Sequence, residues 1–333
     1  MDRESLVAAV GVNRLFADEV ERLLYRSLHI TSAKGSDEGV QAALASRPHR
    51  AAYVRSLVIT FDNVNSPLFT SEHILTTFVK IQSLTILPAT NTRASPTLQA
   101  LTQCHFPYLT HFRSTWSLND PAFRTFLSAH STLTSIELGK AFSTFTLPTS
   151  FPSSLLPRLK TLDGHWSNVV RLVKGRPVSR VTIRSANTDS YVPRHRLALI
   201  LPIIANESQA EGGVQRLSIY IKDISGDVAR LVSHSIPGLR ALELVDCSVV
   251  AATRWAANGS FGVDLDDGLR VNELGDALGT FDGLIEFSVN RPVPEHVVAS
   301  LGDFVPSLMH LNAGEDLWVR KQGGSWVLKG PVT

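Results

Sequence analysis

The stretch from Leu239 to Val249 spaces its apolar residues as L-x-x-L-x-L-x-x-C-x-V, and that spacing limits what the chain can become. Leu242 and Leu244 alternate as in a half-buried strand, Leu239 leads into it, and Cys247 follows at a turn. One such segment can arise in any amphipathic strand, so the argument rests on recurrence. Aligned on the same core, the chain reads Val54/Leu57/Ile59, Ile81/Leu84/Ile86, Leu109/Phe112/Ser114, Leu133/Ile136/Leu138 and Leu159/Leu162/Gly164. It continues with Val178/Val181/Ile183, Val214/Leu217/Ile219, Leu239/Leu242/Leu244, Leu284/Phe287/Val289 and Leu308/Leu311/Ala313.

These ten starts lie mostly 24 to 28 residues apart, the period of a leucine-rich repeat. Helix-like segments fill the intervals at 72–80, 121–130, 227–233, 273–278 and 294–304, opened by Ser71, Asp120, Ser225 and Pro294. The expected fold class is therefore α/β. It is a leucine-rich-repeat solenoid, or horseshoe, of about ten irregular repeats, with a parallel concave sheet, helices outside and a helical cap at the N-terminus. The asparagine that regular repeats carry at the Cys247 position is missing elsewhere. Asp62, Ala89, Ser117, Ala141, Ser167, Ala186, Lys222, Pro292 and Asp316 stand there instead. Irregular turns are expected, because that side chain normally satisfies buried backbone groups.

Apolar residues from Leu6 to Leu24 recur at helical spacing, which predicts a helix over 4–28 running into a short strand at Tyr25–Ile30. Asn13-Arg14-Leu15-Phe16, then Glu19 to Arg22, then Leu23-Leu24-Tyr25-Arg26-Ser27-Leu28 resemble the C-terminal half of an F-box as found in fungal F-box proteins with leucine-rich repeats. An F-box usually opens with a Leu-Pro and acidic segment, and with Met1 this close at most a remnant of one is expected within these residues. The resemblance implies substrate recognition for a cullin-type ubiquitin ligase, with adaptor contact through Leu15, Phe16, Leu23 and Leu24. Without an F-box role, residues 1–30 are simply a helical cap on a free-standing scaffold or inhibitor. The expected organisation is a cap over 1–30, a linker over 31–53, the solenoid over 54–316 and a hairpin cap over 317–333. That hairpin is signalled by Trp318 and Trp326 on either side of Gly323-Gly324.

Composition narrows the function. With 44% hydrophobic and 19% charged residues the chain can bury a large core, and a net charge of +2 with no Lys or Arg run gives no track for a phosphate backbone. No apolar run reaches the length of a membrane span. Two cysteines are too few for a disulfide scaffold, and nothing at the N-terminus reads as a signal peptide. A cytoplasmic or nuclear protein, monomeric within a complex, is expected, and the sequons at Asn206 and Asn258 are read as accidental.

Chemistry is sparse. Asp264-x-Asp266-Asp267-Gly268 misses the register of a calcium loop. Cys104, His105 and His111 lack a second ligand pair. Asp163 and His165 share a strand face, but no nucleophile accompanies them in the sequence. No enzyme, metal or cofactor is expected. Binding is expected at residues between the apolar positions of the strands: His111, Arg113, Glu137, Asp163, His165, Arg184, Tyr220, Arg240 and Glu243, with Arg180, Thr182, Arg216 and Ser218 beside them. Arg and Tyr anchor interfaces more often than most residue types. Two insertions are expected: 184–213, with a helix-like apolar run from Leu197 to Ala205 followed by a loose surface loop from Glu207 to Gly213, and 250–272.

Overall fold

The computed structural model describes residues 14–31, 39, 42–44, 46–61, 75–88, 101–116, 118–139, 151–185, 191–222, 224–247 and 271–331. The chain forms two compact units, Met1–Ala141 with Ser154–Leu159, and Phe142–Ser153 with Lys160–Thr333.

In the first unit, helix α1 (Arg14–Arg26) runs directly into strand β1 (Ser27–Thr31). A 3-10 helix (Pro48–Tyr53), strands β2 (Ser56–Phe61), β3 (Ser83–Pro88) and β4 (His111–Ser114), helix α2 (Pro121–Ala129) and strand β5 (Ser135–Leu138) follow. The strands pair in chain order, all parallel. Their register places Leu28, Leu57, Leu84, Phe112 and Ile136 in one row. Ring packing fixes α2 on this sheet: Phe126 lies 5.1 Å from Phe112 and 4.3 Å from His130, and Phe123 lies 5.7 Å from Phe112. Asp120 starts α2 by accepting hydrogen bonds from the Ala122 and Phe123 amides.

Glu21 ties α1 down. Its carboxylate is 6% exposed and accepts from Arg47 and Arg50, both at 2.7 Å. Arg50 also lies over the Tyr25 ring at 5.0 Å. These arginines hold the Glu21 carboxyl below its ordinary pKa, Arg50 most of all.

The second unit alternates strand and helix: β6 (Thr161–His165), α3 (Trp166–Val173), β7 (Arg180–Arg184), α4 (Arg194–Glu207), β8 (Arg216–Ile221) and α5 (Gly226–Ser235). Then come β9 (Ala241–Asp246), α6 (Val271–Leu278), β10 (Glu286–Val289), α7 (Glu295–Phe304), β11 (His310–Ala313), β12 (Asp316–Arg320) and β13 (Trp326–Pro331). Strands β6 to β11 are parallel in chain order, and β12 and β13 add antiparallel. Two apolar rows run across the sheet, Leu162-Val181-Leu217-Leu242-Phe287-Leu311 and Gly164-Ile183-Ile219-Leu244-Val289-Ala313. Their side chains are buried. Consecutive helices α3 to α7 pack side by side. Glycines let them approach: a Cβ on Gly226 would meet the Glu273 carbonyl and one on Gly275 the Phe304 ring, while one on Gly302 would meet the Trp326 indole of β13.

One backbone device recurs in both units. The carbonyl before each strand accepts two amides from the start of the next. Gln82 takes Thr110 and His111, Lys160 takes Ser179 and Arg180, Ser179 takes Gln215 and Arg216, and Arg240 takes Ile285 and Glu286. Small hydroxyls tie neighbouring repeats together ahead of the strands: Thr132 donates to the Leu109 carbonyl and Ser307 to the Leu284 carbonyl, both at 2.8 Å. One asparagine that bridges strands lies away from the expected position. Asn290 accepts from the Asp246 amide at 2.7 Å and donates to its carbonyl at 3.0 Å.

All ten aligned segments form strands, as does the run after α1. Three readings need correction. Helix α3 was not expected, because the strand starts at Leu159 and Val178 lie closer together than the repeat period and leave little room for a helix. Its buried His165, Ser167 and Asn168 disguise the amphipathic pattern. The stretch after α4 was read as a loose loop, yet it is ordered by a bridge between Arg176 and Ser208 and by the Gln209 amide donating to the Arg176 carbonyl. In the C-terminal hairpin, Trp318 pairs with Leu328 and Trp326 with Arg320, so the two indoles are not partners. The segments 4–13, 62–74 and 248–270, with Ser71, Asn258 and the Asp264 cluster, lie outside the described residues.

Candidate functional site

In a strand successive side chains point to opposite faces, so burying the two apolar rows leaves the intervening residues on the other face. In the first unit this face carries His111 and Ser135 in one row, and Arg113 and Glu137 in the next. Arg113 and Glu137 form a 3.2 Å ion pair, and His111 Nδ1 lies 2.8 Å from the Thr110 hydroxyl.

The second unit carries the richer surface. Asp163 on β6 is bound diagonally by Arg184 on β7, with Nη2 to Oδ2 at 2.6 Å. The same guanidinium lies 5.1 Å from the centre of the Tyr220 ring on β8. Burial raises the Tyr220 phenol above its ordinary pKa, so it stays a neutral donor at physiological pH. Three strands are thus joined by one side-chain chain of Asp163, Arg184 and Tyr220.

Further along the face, Arg216 on β8 donates to Glu286 on β10 at 2.7 Å. The two are separated by Ala241 on β9 in the same row, and a long pair spans two strand spacings only because Ala241 offers so little in between. Asn312 donates to the Ser288 hydroxyl at 2.9 Å and lies 3.4 Å from Glu286. Arg180, Arg216, Glu243, Glu286, Ser288 and Asn312 line a shallow polar cavity of about 190 Å³. Arg240 and Glu243 are exposed at its side.

His165 differs from its neighbours. It is 3% exposed and caps α3: Nδ1 accepts from the Ser167 amide at 3.3 Å and lies 2.7 Å from the Ser167 hydroxyl. Burial pushes its pKa down to about 4, so the ring is neutral and used up structurally. It is not available on the polar sheet face, contrary to its sequence position. His130 is buried in the same manner, bonded between the Phe106 amide and the Phe126 carbonyl. Cys104 and Cys247 are buried and form no disulfide. Among the described residues no group of His, Cys, Asp or Glu is arranged to hold a metal ion, and no helix is long and apolar enough to cross a membrane.

At the N-terminal helix, Leu23 is 52% exposed and Leu24 half-buried. The side chains of Leu15 and Phe16 lie outside the described residues. Sequence reading missed Glu286, Ser288 and Asn312, although the alternation that singles out Arg216 and Glu243 places them on the same face.

No family model matches the chain, and no curated protein matches it. Among solved structures, the crystal structure of the Rad7 and Elc1 complex in yeast is similar over 94% of this chain and 93% of that one, at 12% identity. The TM-score is 0.38. A likeness this slight bears on neither partner nor activity.

Proposed function

We propose that the protein is a non-enzymatic interaction module, a leucine-rich-repeat solenoid that holds a protein target on its open sheet face. The observation that carries this reading is the face of β6 to β11. Arg184, Tyr220, Arg216 and Glu286 are laid across adjacent strands there while the apolar rows are buried on the other side. Arginine and tyrosine held by neighbours lose little side-chain freedom when they bind, which suits them as anchors. The F-box resemblance of residues 13–28 supports a more specific role, target recognition for a cullin-type ubiquitin ligase with α1 toward the adaptor.

A second reading is favoured by the Glu21 cluster. The Arg47 and Arg50 bonds hold α1 against the 3-10 helix, which is what a simple cap on a free-standing scaffold requires. Affinity isolation from the native host followed by mass spectrometry separates the two. The ligase role requires adaptor and cullin subunits alongside the target. A target recovered without them leaves the scaffold, and a target recovered equally by an Arg184→Glu/Arg216→Glu variant removes the sheet face from the account.

A further inference from the structure

A second charged surface lies in the first unit. The backbone device described above stacks the residues before β1, β2 and β3. The Arg55 amide donates to the Arg26 carbonyl at 2.9 Å, and the Gln82 amide to the Arg55 carbonyl at 2.8 Å. Arg26, Arg55 and Gln82 therefore each immediately precede one of three successive strands spaced about 4.8 Å apart. Arg22, one turn back on α1, and Lys80, just before β3, complete a pocket of about 430 Å³ whose apolar wall is Leu23, Ala52 and Tyr53.

Four cations line this pocket against one carboxylate, Glu19. Glu19 is already bound to Arg22 at 2.9 Å. Arg55 is turned back onto the Ala52 and Val54 carbonyls. Arg26 and Lys80 are exposed, and neither has an ion-pair partner among the described residues. Like charges gathered this closely repel, and an anionic ligand relieves that repulsion. The four come from separate parts of the chain, so no basic run announced them.

We propose that this pocket docks an acidic peptide segment of a partner protein. Its carboxylates would lie on Arg26 and Lys80, and one apolar side chain would rest on Leu23, beside the Tyr53 ring that Arg22 covers at 5.6 Å. The apolar wall and the 52% exposure of Leu23 favour a peptide over a nucleic acid, which needs a longer track of phosphate contacts. This site is independent of the sheet face of the second unit.

The test uses the full chain and a fluorescein-labelled synthetic peptide of alternating Asp and Glu with one central Leu, read by anisotropy. Binding is expected to weaken at least about tenfold between about 50 and about 300 mM NaCl. It should weaken by at least about as much in Arg26→Glu/Lys80→Glu, with unchanged circular dichroism, and stay unchanged in Arg194→Glu/Arg230→Glu. Equal affinity of the Arg26→Glu/Lys80→Glu variant would overturn the proposal. So would equal binding of a peptide with the central Leu replaced by Ser. Tighter, Arg26- and Lys80-dependent binding to oligo-dT or to phosphatidylserine vesicles would overturn it in favour of those ligands.

Discussion

Replacing Arg176 with methionine removes a buried cation that holds together the end of α3 and the segment before it. Arg176 is 0% exposed. Its Nη1 donates to the Leu172 and Lys174 carbonyls at 2.9 and 2.8 Å, and its Nη2 to the Pro152 carbonyl at 2.6 Å. Burial lowers the guanidinium to about 10, so it remains charged at neutral pH, and a cation at a helix C-terminus is favoured by the helix dipole. Methionine fills similar space but leaves three carbonyls without these donors. Losing charge-assisted bonds of this kind costs about 1.5 to 3 kcal/mol each before relaxation, offset in part because the desolvation cost of the buried cation, which lowers its pKa, disappears with it. The expected loss is about 4 kcal/mol. For a unit of this size that lowers Tm by roughly 10 °C, measurable by circular dichroism and by urea titration. Arg176→Lys should recover only part of it, since one ammonium cannot reach carbonyls on both sides. A loss under about 1 kcal/mol for Arg176→Met would show that water satisfies those carbonyls and would refute the reasoning.

Acid should destabilise the fold through its buried histidines. His165 and His130 have pKa values lowered by burial, so the neutral ring is favoured in the folded state. Their contribution is present above the unfolded value near 6.5 and is lost as pH falls, for His165 over the interval down to about 4. Thermal melts should therefore be flat above about pH 7 and decline below 6.5, with a shallower decline in His165→Asn, which keeps a capping acceptor. Gly275→Ala should cost about 1 to 3 kcal/mol in urea titrations, because its Cβ would strike the Phe304 ring between α6 and α7. Asp120→Ala should cost about 1 kcal/mol by removing the two amide bonds that start α2.

The strands were legible in the sequence because burial on one face leaves a strong period. Leu57, Leu84, Leu162, Leu242 and Leu311 are all buried, and a register slip would expose every one of them. Helices α2, α5, α6 and α7 were visible for the same reason. Helix α3 was not, since His165, Ser167 and Asn168 are polar by composition yet buried by tertiary bonding. The polar sheet face was readable as alternating positions, and Arg184, Tyr220 and Arg216 lie on that face. What alternation could not supply is pairing. That Arg216 reaches Glu286, seventy residues on, depends on the small Ala241 between them. The same limit explains His165: it occupies a face position at the end of β6, but the chain turns there into α3 and encloses the ring. The basic pocket of the first unit was invisible because Arg22, Arg26, Arg55 and Lys80 become neighbours only through the strand stacking.

The central claim is that targets bind through the sheet face around Arg184 and Tyr220. It is tested most directly by titrating an isolated target against Arg184→Ala/Tyr220→Ala and against Arg194→Ala/Arg230→Ala, a control pair on α4 and α5. Arg184 is 39% exposed, so breaking its pair with Asp163 should change stability by less than about 1 kcal/mol. The account predicts that Arg184→Ala/Tyr220→Ala weakens binding by at least about thirtyfold, or about 2 kcal/mol, while the control pair binds as the native chain does. Full affinity in Arg184→Ala/Tyr220→Ala, with the loss appearing in the control pair, would contradict it.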